Sequence, residues 1–155
     1  MPGQDLASRP RGLLRWPSYA VGQLHRAARA RVDAALGEKG LSARGYGVLV
    51  CLDECGELSQ QQVGDRVAID RSDLVKLIDR LEALGQVQRR PDLADRRRHA
   101  LSLTAEGIRA LREADQILER LTAEIFATLS ARERQTLHRL TLKALGQPAA
   151  GSEPA

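Results

Sequence analysis

The sequence predicts a mainly α-helical fold with one small β-hairpin, an α+β arrangement in which helices dominate. Three observations lead there. Apolar residues recur at threes and fours through most of the chain, the spacing of one helix face. The period falls to two only after Gly85, where Val87-Gln88-Arg89 and Leu101-Ser102-Leu103 alternate on either side of a polar run. Composition agrees: 43% of the residues are hydrophobic but only 3% are aromatic. Aliphatic side chains and alanine must therefore fill the core, which suits helix on helix better than a sheet sandwich.

The elements follow in order. A chain of 155 residues fits one domain with an oligomerisation extension. Residues 1–12 hold two prolines and two glycines and read as a flexible basic arm. Val21, Leu24, Ala28, Val32 and Ala35 mark a helix from Pro17 to about Leu36, which Gly37 and Gly40 end. Ser42 caps a second helix to about Glu54, with Tyr46, Leu49, Val50 and Cys51 among its apolar residues, and Gly56 breaks it. Ser59 opens a short helix through Val67. Ala68-Ile69-Asp70 is a tight connection, and Asp70 caps a further helix that ends at Gly85. Two short helices joined by a tight turn are a helix-turn-helix. The hairpin directly after it, with Pro91-Asp92-Leu93-Ala94-Asp95 in its loop, is then a wing. Thr104 starts a long helix striped by Ile108, Leu111, Ile117, Leu118, Leu121 and Ile125. Ser130-Ala131-Arg132-Glu133 is a capping box for a last helix carrying Leu137, Leu140 and Leu145. Residues 147–155 read as a disordered tail.

Charge and composition limit the function. The formal net charge is +4 and the pI about 9.6, a balance that suits a polyanionic partner. The arginines are clustered: Arg9, Arg11 and Arg15 near the start, then Arg89, Arg90, Arg96, Arg97 and Arg98. No leader-like apolar run opens the chain, and no stretch approaches the roughly 20 apolar residues of a membrane span. A cytoplasmic protein without a membrane partner is expected. No G-x-S-x-G, Walker loop or H-E-x-x-H is present, and His25, His99 and His138 are scattered without metal-ligand spacing. Neither catalysis, nor a cofactor, nor a metal is expected.

The helix from Asp70 to Leu84 carries the functional argument. Leu74, Leu77, Ile78, Leu81 and Leu84 form one stripe; Ser72, Lys76 and Ala83 lie opposite, with Asp73 and Arg80 on a flank. A short polar face near a helix N-terminus suits the major groove of double-stranded DNA. Lys76 can donate to guanine O6 and N7, Ser72 to a base or a phosphate, and Arg71 to a phosphate. Arg96, Arg97 and Arg98 near the wing tip suit phosphates or the negative minor groove, with Asp95 orienting one of them. An RNA partner fits less well. The interleaved aromatics that stack single-stranded bases are lacking, and the deep groove of A-form RNA excludes a helix.

Asp95-Arg96-Arg97-Arg98-His99-Ala100-Leu101-Ser102-Leu103-Thr104 with Glu106-Gly107 resembles the wing signature D-R-R-x-x-x-L-x-L-T-x-x-G of the MarR family of bacterial transcription regulators. Asp70-Arg71-Ser72 with Asp79-Arg80-Leu81-Glu82-Ala83-Leu84-Gly85 resembles that family's recognition helix. The order of elements agrees from about residue 13 to residue 146. The resemblance implies a single domain over 13–146, with a winged helix-turn-helix at about 42–104 and dimerisation helices at about 13–37 and 105–146. It implies a homodimer on a pseudo-palindromic operator, usually a repressor, which many members release when a small phenolic anion binds. Carried over by position, Ser72, Asp73 and Lys76 face bases, Arg96 and its neighbours form the wing contact, and Ser59 and Gln60 touch phosphates. One departure is Asp73, where the family often has Ser or Thr; a carboxylate can accept from cytosine N4.

Arg15, Trp16, Tyr19 and His25 along the first helix, with Tyr46 in the second, are the residues that would hold an aromatic carboxylate effector. Trp16 and Tyr19 serve equally well as packing residues of a dimer interface. Cys51 and Cys55, four apart on an apolar helix, read as buried small residues in poor geometry for a disulfide. Two other readings stay open: a winged helix used for protein contact, and a thiol-based redox-responsive regulator through Cys51 and Cys55.

Overall fold

The computed structural model describes residues 10–91 and 99–147. Seven helices and three strands run in the order α1 (Arg11–Leu14), α2 (Pro17–Gly37), α3 (Ala43–Cys55), β1 (Leu58–Ser59), α4 (Gln60–Val67), α5 (Arg71–Ala83), β2 (Val87–Pro91), β3 (His99–Leu103), α6 (Ala105–Ile125) and α7 (Ala131–Ala144) among the described residues. The chain divides into two compact units, Met1–Glu119 and Arg120–Ala155.

Local chemistry sets most boundaries in the first unit. Ser42 Oγ accepts from the Gly45 amide at 3.0 Å and opens α3. Gly56, at φ 73°, closes it in a conformation that costs glycine little. Ser59 and Gln62 satisfy each other's backbone amides at 3.3 and 2.8 Å, a capping box that starts α4. Ala68 turns the chain in the left-handed region at φ 51°, and the Ile69 amide bonds back to the Gly64 carbonyl at 3.2 Å. Asp70 Oδ1 then accepts from the Asp73 amide at 3.1 Å and starts α5. A Cβ on Gly64 would sit 3.1 Å from Leu74 Cδ2 and 3.3 Å from the Ile69 carbonyl, so a bare backbone lets the two helices close on this turn.

Behind the turn lies the core. Leu36, Val48, Leu49, Val63, Ile78 and Leu101 are fully buried, drawn from α2, α3, α4, α5 and β3. The sheet is antiparallel with order β1-β3-β2, pairing Leu58 with Leu101 and Arg89 with Leu101 on its other side. Thr104 joins it to α6: its hydroxyl donates to the Gly85 carbonyl at 2.5 Å and accepts from the Gly107 amide at 3.0 Å.

Several expectations are corrected. The sequence reading does not include α1, and Arg11 and Gly12 lie in that helix rather than in an arm. It does not include β1 either; a third strand edges the hairpin. Leu84 is 42% exposed, not part of the buried stripe, because α5 ends one residue before it. Cys51 is buried but Cys55 is exposed, since it is the last residue of α3 and stands beyond the core. Val21 and Leu24 are exposed, and α2 buries only Gln23 and Leu36.

The second unit holds the end of α6 and α7. A capping box of Ser130 and Glu133 opens α7, and Arg134 donates to the Leu129 carbonyl at 2.7 Å. No residue of α7 is buried; Leu140 and Leu145 are 50% and 69% exposed. Among the described residues, no helix is long and apolar enough to cross a membrane.

Candidate nucleic-acid interface

Helix α5 presents two faces. Leu74, Ile78 and Leu81 are buried, while Arg71, Ser72 and Lys76 are exposed. Asp73 is half-buried on the flank between them. Ser72 donates its hydroxyl to Asp70 Oδ1 at 2.8 Å. The Asp73 amide and this hydroxyl hold the Asp70 carboxyl below the usual carboxylate range, so the cap stays ionised at neutral pH. Lys76 forms no ion pair among the described residues, which leaves its ammonium available on the outward face.

Asp73 is not free. Its Oδ2 accepts from Arg44 Nη1 at 2.9 Å, across from the first turn of α3. Arg80, one turn beyond Lys76, donates to the Gly40 carbonyl at 3.1 Å. Arg44, Asp73, Lys76 and Arg80 line a shallow cleft of about 280 Å³. Three cations and one carboxylate thus share this cleft, and the carboxylate is paired with Arg44.

Ser59 and Gln60 sit at the start of α4, both half-buried. The Ser59 oxygen accepts from the Gln62 amide in its capping box, so the donors this position offers are its O–H and the helix N-terminus. Arg89, counted by sequence with the basic cluster, faces inward: it pairs with Asp79 at 2.5 Å and with Glu82. Burial works against its charge, but the two carboxylates more than offset this and raise its pKa. These pairs tie β2 to α5. Arg96, Arg97 and Arg98, with Asp92 and Asp95, lie outside the described residues.

The candidate ligand residues are only partly brought together. Arg15 stacks over the Trp16 ring, 4.9 Å from its centroid, and Trp16 is 55% exposed. Tyr19 is half-buried and His25 exposed. Tyr46 is elsewhere: its hydroxyl donates to Asp115 Oδ1 at 2.7 Å, joining α3 to α6. Burial and the Asp115 carboxylate push its pKa up to about 12, so it stays a neutral donor. Burial and the neighbouring Cys55 raise the Cys51 thiol, which disfavours the reactive thiolate.

Sequence reasoning placed Arg80 on the flank of α5 but missed Arg44, the Arg80 bond to Gly40 and the Arg89 pairs. The only signal was each charge on its own; their partners lie on other elements.

Two short helices, the second with an outward polar face, followed by a β2–β3 hairpin whose sheet is completed by β1 from before them, define a winged helix-turn-helix protein. Residues 41–99 match the model of the MarR family. A protein of Thauera aromatica, named as a transcriptional regulatory protein for the hcr operon, is 36% identical over 92 residues. The match takes in 59% of this chain and 55% of that protein, so it spans about half the length of that relative. The crystal structure of a transcriptional regulator from Pseudomonas aeruginosa is 29% identical, with a TM-score of 0.74 over 85% of this chain and 98% of that one. That of the PcaV transcriptional regulator from Streptomyces coelicolor is 28% identical, with a TM-score of 0.71 over 84% and 96%.

Proposed function

We propose that the chain is a sequence-specific double-stranded DNA-binding transcription regulator, a cytoplasmic homodimeric repressor of a pseudo-palindromic operator that works by binding and not by catalysis. The observation that carries this reading is the outward face of α5: Arg71, Ser72 and Lys76 exposed beside a wing, opposite a fully buried apolar row. A helix presented in this way fits a major groove. The names of its relatives, transcriptional regulators, support the same class. Arg71, Ser72 and Lys76 contact DNA from α5, Ser59 and Gln60 from the start of α4, and Arg96, Arg97 and Arg98 from the wing. Asp73 stands beside them on the flank.

The dimer rests on apolar surface left uncovered in each unit. Leu13, Leu14, Val21 and Leu24 on α1 and α2, Leu140 on α7 and Leu145 at its C-cap are exposed. These side chains keep between 38% and 69% of their surface exposed, so covering each is worth about half of the roughly 1.5–3 kcal/mol of full burial, which favours a second copy over solvent. In this reading residues 13–146 form one functional domain, with the terminal helices 13–37 and 105–146 as its dimerisation parts.

Fluorescence-anisotropy titration tests the proposal. The probes are the duplex upstream of the chain's own gene and a scrambled duplex, each at two salt concentrations. The expected result is nanomolar binding to the first, a preference of at least about 10³-fold, and two chains per duplex. Weak and equal binding to both that salt abolishes would leave only a basic surface.

Arg15 stacked on Trp16 supports an effector that is a small aromatic carboxylate. Trp16 is the sole tryptophan, so its emission reports that position alone. Salicylate is expected to quench it saturably and to release the operator duplex over the same concentration range. Release without quenching would place the effector elsewhere.

A further inference from the structure

The pair formed by Arg44 and Asp73 carries a consequence for the interface that the recognition helix alone does not suggest. We propose that Arg44 is a DNA-contacting residue and that Asp73 is its positioning residue, so that Asp73 does not itself read a base. The inference rests on the DNA-binding reading above.

Four observations support it. Asp73 Oδ2 and Arg44 Nη1 are 2.9 Å apart, a charge-assisted bond between the first turns of α5 and α3. Both side chains stay half-exposed, at 46% and 58%, so the pair lies at the surface that α5 offers and not in the core. The same cleft holds Lys76 and Arg80. Finally, a single Nη1 bond leaves the other guanidinium donors of Arg44 without a partner among the described residues.

The electrostatics follow. A bare carboxylate at position 73 would stand among phosphates, each carrying a negative charge, and would weaken every complex. Paired with Arg44, it is neutralised. In return it fixes a five-donor planar group whose remaining edge can take a phosphate oxygen pair. Arg44 alone would lose the rotamer freedom of a long side chain on binding; Asp73 removes part of that cost in advance. An aspartate is thus accommodated where a serine or threonine would otherwise donate to the backbone directly.

The test is a double-mutant cycle on DNA binding. The probes are the duplex recovered by the wild-type chain from a random-sequence pool and a shuffled duplex of the same composition. Circular dichroism melts confirm that each variant folds. Arg44→Gln is expected to weaken binding to both duplexes about 3- to 10-fold at 0.1 M salt and to lower the salt slope by about 0.9 for each phosphate it no longer neutralises. Asp73→Asn is expected to weaken binding in the wild-type chain by a similar factor, and to weaken it no further in the Arg44→Gln chain, where only an unpaired charge is removed. The base preferences recovered with Asp73→Asn should match those of the wild type. A changed preference at one operator position, equal in both backgrounds, would show that Asp73 reads cytosine and would overturn the inference. Unaltered affinity in Arg44→Gln would overturn it too while leaving the DNA-binding reading intact. If the wild-type chain recovers no preferred duplex, the reading beneath it falls first.

Discussion

Replacing Gly107 with alanine is expected to destabilise the chain by about 3 kcal/mol, at the upper end of what overpacking by one methyl costs. A Cβ at Gly107 would fall inside the contact distance of the Gln86 carbonyl oxygen and 3.0 Å from both the Gln86 carbonyl carbon and Leu103 Cδ2. Nothing there can yield cheaply. The Gln86 carbonyl accepts from the Thr104 amide at 3.2 Å, and the Gln86 amide donates to the Leu81 carbonyl at 2.9 Å. Gln86 is 6% exposed, so its backbone is enclosed as well as bonded. The clash is with backbone, at the point where the end of α5, the entry to β2 and the start of α6 meet. Urea denaturation at fixed protein concentration measures the effect, and for a chain of this size the melting temperature should drop by roughly 6–12 °C. Gly47→Ala is the control: it lies inside α3 with nothing within 4 Å of an added Cβ, so it should gain up to about 1 kcal/mol from helix propensity. A loss under about 1 kcal/mol at Gly107 would mean the junction is looser than its bonds imply. The T-x-x-G at the end of the wing signature is thus a packing requirement, and its threonine is the cap of the helix that follows.

Caps made the helices legible. Ser42, Ser59, Asp70 and Ser130 each satisfy an amide three residues ahead, and chemistry on that scale is visible in sequence. The pieces that escaped depend on distant partners. A strand of two residues such as β1 has no period of its own, and exists because Leu58 and Ser59 meet Leu101 and Ala100. Leu84 kept the spacing of the α5 stripe but not its burial, because the helix stops before it and periodicity does not report where a helix ends. Cys55 shares a face with Cys51 but is the last residue of α3 and stands beyond the core.

The site divides along the same line. That Lys76 and Ser72 point away from the core follows from helix geometry, and sequence placed both. That Asp73 is paired follows from an arginine 29 residues earlier on another helix, which no local pattern reveals. Arg89 marks a second limit. It counts in the basic cluster by sequence, yet Asp79 and Glu82 on α5 pair with it and take it inward. Charge counts do not separate a residue that meets a ligand from one that braces the element presenting it.

Lys76→Ala and the double substitution Arg96→Ala with Arg97→Ala should separate the two kinds of contact. Lys76 stands in the second turn of α5, exposed and unpaired with any described carboxylate, opposite buried Leu74 and Ile78. In a major groove its ammonium meets guanine O6 and N7, so its loss should cost about 1–3 kcal/mol per half-site and about twice that for a dimer, or roughly 30-fold to more than 10⁴-fold on the operator. Its effect on a scrambled duplex should be small. The wing arginines should behave in the opposite way, weakening operator and scrambled duplex together and lowering the salt slope by about 0.9 for each phosphate left without its arginine. Equal losses on both duplexes for Lys76→Ala would make Lys76 a phosphate contact and shift base reading to Arg71 and Ser72. No loss from either variant would remove α5 from the groove altogether. The contrast matters because net charge predicts neither result: all three substitutions remove a positive charge, and only position on a helix face or in a wing decides whether that charge recognises a sequence or holds a backbone.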